Sequence, residues 1–232
     1  MPRLFAFITL SAALALATAA SARPAAAPAP PAAPVIDREA AYQTLLAQDQ
    51  IAAPNVDWLA LRLAFADRPG FAVFSQSQAK REMRMAMDKS DCATALPAAK
   101  TVIGEAYVDA EAHMVAAFCE DAAGNAVTAA QERAIGVGLL KSIETGDGLS
   151  PEGAFTVITV DEEYSLMRAL GLKVTSQSLL RANGHSYDAL VAANDKGVVA
   201  TYYFLIDRVL AAEADALRPA SVSEGGPPSR TP

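Results

Sequence analysis

Between Ile143 and Asp207 the hydrophobic period of this chain changes. Upstream of Gly148 apolar residues recur at helical spacing. Downstream, runs rich in β-branched and aromatic residues are punctuated by Asn183-Gly184 and Asn194-Asp195-Lys196-Gly197. A chain that keeps one period and then switches to the other folds as helices beside a sheet. Asn183-Gly184 predicts a two-residue hairpin, because both residues tolerate positive φ. Gly197 suits the left-handed closing position of the second turn. These signals predict an α+β fold: N-terminal antiparallel helical hairpins, repeat-like, packed on a small, mostly antiparallel C-terminal sheet.

In the first half, Asp37 is placed to cap a helix running to about Ile51, with Tyr42, Leu45 and Leu46 on one face. Pro54-Asn55 breaks it, and a second helix starting at Asn55 carries Trp58, Leu61 and Phe65 to Arg68-Pro69-Gly70. A third spans Ser77 to Lys89 and contains Met83, Met85 and Met87, expected as core gap-fillers. Three more follow, at Asp91–Ile103 with Pro97 inside, Asp109–Ala122 and Ala126–Ile143. The last two resemble a tetratricopeptide hairpin, with Ala112, Ala116 and Ala130 allowing close helix approach and Gly124-Asn125 at the turn.

In the second half, Ala154–Val160 is apolar on both faces and predicts a central buried strand. Glu162–Gly171 reads as a short helix ended by Gly171, followed by strands at Leu172–Leu180, Ser186–Ala193 and Val198–Ile206. Asp207 is placed to cap a final helix, Arg208–Leu217.

The ends carry other signals. Arg3, the apolar run Leu4–Leu16 and Ala20-Ser21-Ala22 fit an export signal over residues 1–22, with a mature start at Arg23. An Ala/Pro tether (23–34) precedes the helical region (35–145) and the β-rich region (146–217). A Pro/Ser/Gly-rich tail (218–232) has the composition of a disordered segment. Export predicts a periplasmic or secreted protein with no stable membrane span after cleavage. The formal charge of −7, without a basic run, argues against nucleic-acid binding. In an oxidising compartment Cys92 and Cys119 would meet as a disulfide. If Asp91–Ile103 and Asp109–Ala122 are antiparallel, the two cysteines stand at one height; the alternative is a pair of small buried thiols.

No G-x-S-x-G surrounds Ser150 or Ser178, His113 is misplaced for H-E-x-x-H, and Gly136-Val137-Gly138 lies in a helical pattern without a preceding strand. Two Cys and two His are too few for a structural zinc site. The best polar constellation is Asp147, Glu152, Asp161, Glu162, Glu163 and Tyr164, joined by Gln177 and Asp188. Such carboxylates could bind calcium or act as an acid/base pair. They could equally serve structure: Asp147 closing an Asx turn, Asp161 capping a helix, Tyr164 filling the core. His185 reads as an exposed turn residue.

The C-terminal motifs carry a family resemblance. They run GDG, F-x-V-I-x-V, E-Y-x-x-x-x-x-L-G-L, Q-S-L, Y-D and Y-F-x-I, from Gly146 through Phe155, Glu163, Tyr164, Gln177, Tyr187 and Asp188 to Ile206. This pattern resembles the bacterial family known as domain of unknown function 4919. It implies an exported protein of helices plus a small sheet, and brings no activity with it. The expectation from the whole sequence is a non-enzymatic envelope protein that binds a protein or peptide, without a cofactor or metal. The alternative is a small-molecule or calcium binder, or a hydrolase, at the acidic helix–sheet junction. Asp147, Glu163, Tyr164, Gln177 and Asp188 are the candidate binding residues.

Overall fold

The computed structural model describes residues 37–50 (backbone alone at 49 and 50), 56–68, 71 and 77–217. The predicted export signal, the tether and the C-terminal tail lie outside them. Among the described residues the order is α1 (Arg38–Gln50), α2 (Trp58–Ala66), α3 (Gln78–Met87), α4 (Cys92–Glu105), α5 (Ala110–Ala122) and α6 (Ala126–Lys141). It continues with β1 (Phe155–Thr156), α7 (Val160–Ala169), β2 (Lys173–Ala182), β3 (His185–Ala193), β4 (Val199–Leu205) and α8 (Asp207–Ala216).

The helices start where short polar side chains satisfy the first free N–H groups. Asp37, Asp57, Ser77, Asp91 and Asp109 each accept a bond from the backbone N–H three residues on. The second helix is therefore capped by Asp57 and begins at Trp58, later than the predicted Asn55 start, which lies outside the described residues. Cys92 and Cys119 are joined across the α4–α5 hairpin, their Cα atoms 5.3 Å apart. Ala95, Ala112 and Ala116 are fully buried around this hairpin, and with so little side chain between the axes a bridge of that span fits.

Several packing details differ from expectation. Ala129 is buried on α6, whereas the predicted Ala130 is exposed. Met83 is core, but Met85 is 58% exposed. Gly136 lies against Met114 and Gly138 against the indole of Trp58, so these glycines serve helix packing.

The sheet order is β1-β4-β3-β2. β2–β3 and β3–β4 are antiparallel, while β1 pairs parallel to β4, so the sheet is mixed. Asn183 and Gly184 take φ of 53° and 82°, as the hairpin signal requires. One sheet face, with Leu190, Ala192 and Phe204, packs on Leu166 and Met167 of α7, Val209 of α8 and Ile143 in the turn after α6. A second core joins Tyr42, Leu61, Phe65 and Leu139 to Ile158.

The predicted central strand Ala154–Val160 is instead a two-residue edge strand. Its backbone is claimed by side chains: the Thr156 carbonyl accepts from Arg62 Nη2 at 2.9 Å, and the Ile158 N–H donates to Glu162 Oε2 at 2.8 Å. A backbone bonded this way has no ladder to extend. Val157 and Ile158 are still buried, which is why the run is apolar on both faces.

Candidate functional site

Helix α7 organises the polar chemistry. After Val160 it reads Asp161-Glu162-Glu163-Tyr164, and about 100° of rotation per residue aims these side chains in different directions. Thr159 occupies the N-cap position, so Asp161 is not the cap. Asp161 instead pairs with Lys80 at 2.8 Å and Arg84 at 3.1 Å on α3. Lys80, almost fully buried, also pairs with Asp109 at 2.6 Å. Burial opposes the charge on Lys80, but Asp109 and Asp161 outweigh it and hold its pKa above the ordinary lysine value. Burial likewise works against the Asp161 carboxylate, and Lys80 and Arg84 overcome it, lowering its pKa.

Glu162 points toward α2. Arg62, wholly buried, binds both carboxylate oxygens at 2.8 and 2.6 Å and reaches Ser142 Oγ at 3.0 Å. This fork-to-fork pairing joins α2 of the helical half to α7 of the sheet half.

Glu163 faces the sheet and finds no cation. It is fully buried, and neither carboxylate oxygen has a conventional donor. Its neighbour is another acid, Asp188 on β3, which acts on the Glu163 carboxyl. Two ionised carboxylates cannot bond each other, whereas a protonated one donates to its ionised partner. Burial first, then the charge and hydrogen bond of Asp188, raise the Glu163 pKa to about 9. Glu163 therefore carries the proton at neutral pH.

A line of side chains leads from this pair to solvent. Gln177 Nε2 donates to Asp188 Oδ2 at 2.6 Å, and the Tyr164 hydroxyl donates to Gln177 Oε1 at 2.6 Å. Gln177 is exposed and Tyr164 half-buried. Burial, then the charges of Glu163 and Asp188, raise the pKa of the Tyr164 phenol. Leu179, 58% exposed, sits directly opposite Asp188 in the β2–β3 register.

Gln177 reaches this face because of an irregularity in β2. The register shifts between Val174 and Ser176, with the Thr175 hydroxyl bonded to the Val191 carbonyl at 3.0 Å. Val174 pairs with Ala192 and Gln177 with Leu190, so both share the helix-facing side.

Four of the five candidate residues thus converge: Glu163, Tyr164, Gln177 and Asp188. Asp147 does not join them. It is exposed and accepts from the Leu149 N–H at 2.9 Å, the Asx turn of a loop whose Gly148 carbonyl bonds the Tyr203 N–H. Glu152 bonds Asn183 at the hairpin. His185 is exposed and pairs with Asp207 at 2.5 Å. Asp207 accepts from the Ser186 N–H and opens α8 without capping it. Arg62, Lys80 and Arg84, the partners of Asp161 and Glu162, escaped sequence reading because up to 100 residues separate them from α7.

A small cavity of about 30 Å³ lies on the other side of α7, floored by Phe65, Phe71 and Ile158 and rimmed by Lys80, Asp109 and Asp161. That is room for little more than a water, and Glu163 and Asp188 do not line it. Among the described residues no three acidic, His or Cys side chains gather as a metal-binding group.

Residues 49–215, more than half of the chain, match the family described as domain of unknown function (DUF4919). The chain belongs to this family. No curated protein and no solved structure matches it. The converging residues Glu163, Tyr164, Gln177 and Asp188 all fall within the matched segment.

Proposed function

We propose that the protein is a non-enzymatic interaction module that binds an extended protein or peptide segment by strand addition along β2. The observation that carries this is the edge itself. β2 is the longest strand of the sheet, and β3 is its sole strand neighbour among the described residues. An open strand edge offers a row of N–H and C=O groups, and proteins usually blunt such edges with Pro, charge or a bulge; the β2 bulge at Thr175 lies near one end and leaves Ser176 to Ala182 in unbroken register. In β2 the charges, Lys173 and Arg181, stand near the ends, and Val174–Leu180 contains neither Pro nor charge. Added segments gain affinity from backbone bonds and specificity from alternate side chains.

Export of the chain, cleavage before Arg23 and an envelope location belong to the same proposal. The Cys92–Cys119 pairing supports them, since such bonds persist in oxidising compartments. Intact mass of the exported protein tests cleavage.

Panning a random heptapeptide library against the full chain tests the binding mode. Selected peptides are expected to alternate apolar and polar residues, and to lose binding to a Ser178→Lys variant of unchanged melting temperature. Selection of helical-period peptides indifferent to that substitution would move the binding surface to the helical hairpins. The alternative of a small-molecule or hydrolytic site draws support from one feature, the buried Glu163 carboxyl that meets no cation; the small cavity beside α7 is not lined by it.

A further inference from the structure

Around α7 the acids fall into two kinds. Asp161 has Lys80 and Arg84, and Glu162 has Arg62. Glu163 and Asp188, more withdrawn from water than Asp161, have no Lys, Arg or His within ion-pair distance among the described residues. A cation is the missing complement, and the side open to one is β2. Gln177 bridges Asp188 to the exposed surface of that strand.

We propose that the segment added to β2 is selected for a Lys or Arg whose cationic head crosses Gln177 to the Glu163–Asp188 carboxyl pair. This rests on the strand-addition reading. Neighbouring strands stand roughly 4.7–4.9 Å apart, so an added strand lies about two such spacings, roughly 9–10 Å, from β3. The four-carbon stem of Lys covers most of that gap, and a charge-assisted hydrogen bond closes the rest. Leu179, exposed beside Asp188, offers apolar surface for the stem. A Leu in the same place would leave the carboxyl pair as it is, and a Glu would add a third acid.

The arriving cation makes the proton shared by the pair redundant, so binding releases it. The other charged groups nearby are engaged or distant. On α7, Asp161 and Glu162 face their own cations, and Arg168 turns to Ser165 and Glu111. On β2, Lys173 and Arg181 stand near the strand ends. On β3, His185 at the hairpin holds Asp207. β4 carries no charged side chain, and on α8 Arg208 reaches Asp67.

The test is calorimetry on the full chain with three capped peptides, Thr-Thr-Val-X-Val-Thr-Thr, where X is lysine, norleucine or glutamate. The lysine peptide is expected to bind about ten- to a hundredfold tighter than the norleucine one. It should release up to one proton, read from two buffers of different ionisation enthalpy. Glu163→Gln and Asp188→Asn should each bring the lysine and norleucine affinities together, while Ser178→Lys should abolish binding of all three. Equal affinity of the three peptides, still lost in Ser178→Lys, would overturn the cation preference and leave strand addition standing. No binding by any peptide, or binding indifferent to Ser178→Lys, would overturn both.

Discussion

Replacing Glu163 by Gln should remove a pH dependence of stability that the wild type carries. The carboxyl titrates near its ordinary 4.5 when unfolded and at about 9 when folded. Between those values the folded chain binds one proton more than the unfolded chain, so stability falls as pH rises. The contribution is complete below pH 4.5 and lost as pH climbs through 9. Each pH unit in that window costs about 1.4 kcal/mol, so from pH 5 to pH 8 the wild type loses about 4 kcal/mol through this group. For a chain of this size that corresponds to a melting-temperature change of roughly 8–16 °C. The Glu163→Gln variant would hold a neutral amide there at every pH and lose nothing. Urea unfolding of both proteins at pH 5, 6, 7 and 8 makes the comparison, because titrations of groups not coupled to Glu163 cancel in the difference. The wild-type curve should drop steadily below that of the variant as pH rises. Parallel curves would refute a proton resident on Glu163. Asp188→Asn should also flatten the dependence, since it removes the neighbouring charge and supplies an amide donor to an ionised Glu163.

Arg62→Ala should destabilise by about 3–5 kcal/mol, because it leaves Glu162 as an unpaired charge at a buried junction; denaturant unfolding measures it. Arg62→Lys should recover only part, since an ammonium cannot reproduce the two-oxygen grip on Glu162 and the bond to Thr156. The unfolded, unreduced protein should show no free thiol, and replacing both cysteines by Ser should cost roughly 3–4 kcal/mol in the chain-entropy account of a 27-residue loop. Gly138→Ala should cost about 1–3 kcal/mol by pushing the new methyl into the Trp58 indole, with a shift in the emission of the single tryptophan as the local readout.

Much of the architecture was legible in residue order, because its signals are local. The change of period near Gly148 marked helices before and strands after, and Asn183-Gly184 set the hairpin. The cysteines stood at matching heights on two helices whose turn the sequence marks, and the structure joins them. Of the candidate residues Asp147, Glu163, Tyr164, Gln177 and Asp188, the last four come together, and Asp147 stands apart in a loop turn.

Tertiary structure decided what each of those residues does. Asp161, Glu162 and Glu163 are near-identical neighbours in sequence, yet two meet cations from distant helices and one meets another acid. Local propensity has no access to partners up to 100 residues away. The apolar run Ala154–Val160 had every mark of a buried strand, and Phe155, Val157 and Ile158 are buried, but Arg62 and Glu162 hold backbone groups that a longer ladder would need. Most sensitive of all was β2. Side chains alternate faces with a period of two, so a single extra residue at Thr175 determines whether Gln177 or its serine neighbours meet Asp188. That choice belongs to the pairing between strands, and no property of β2 read alone could have made it.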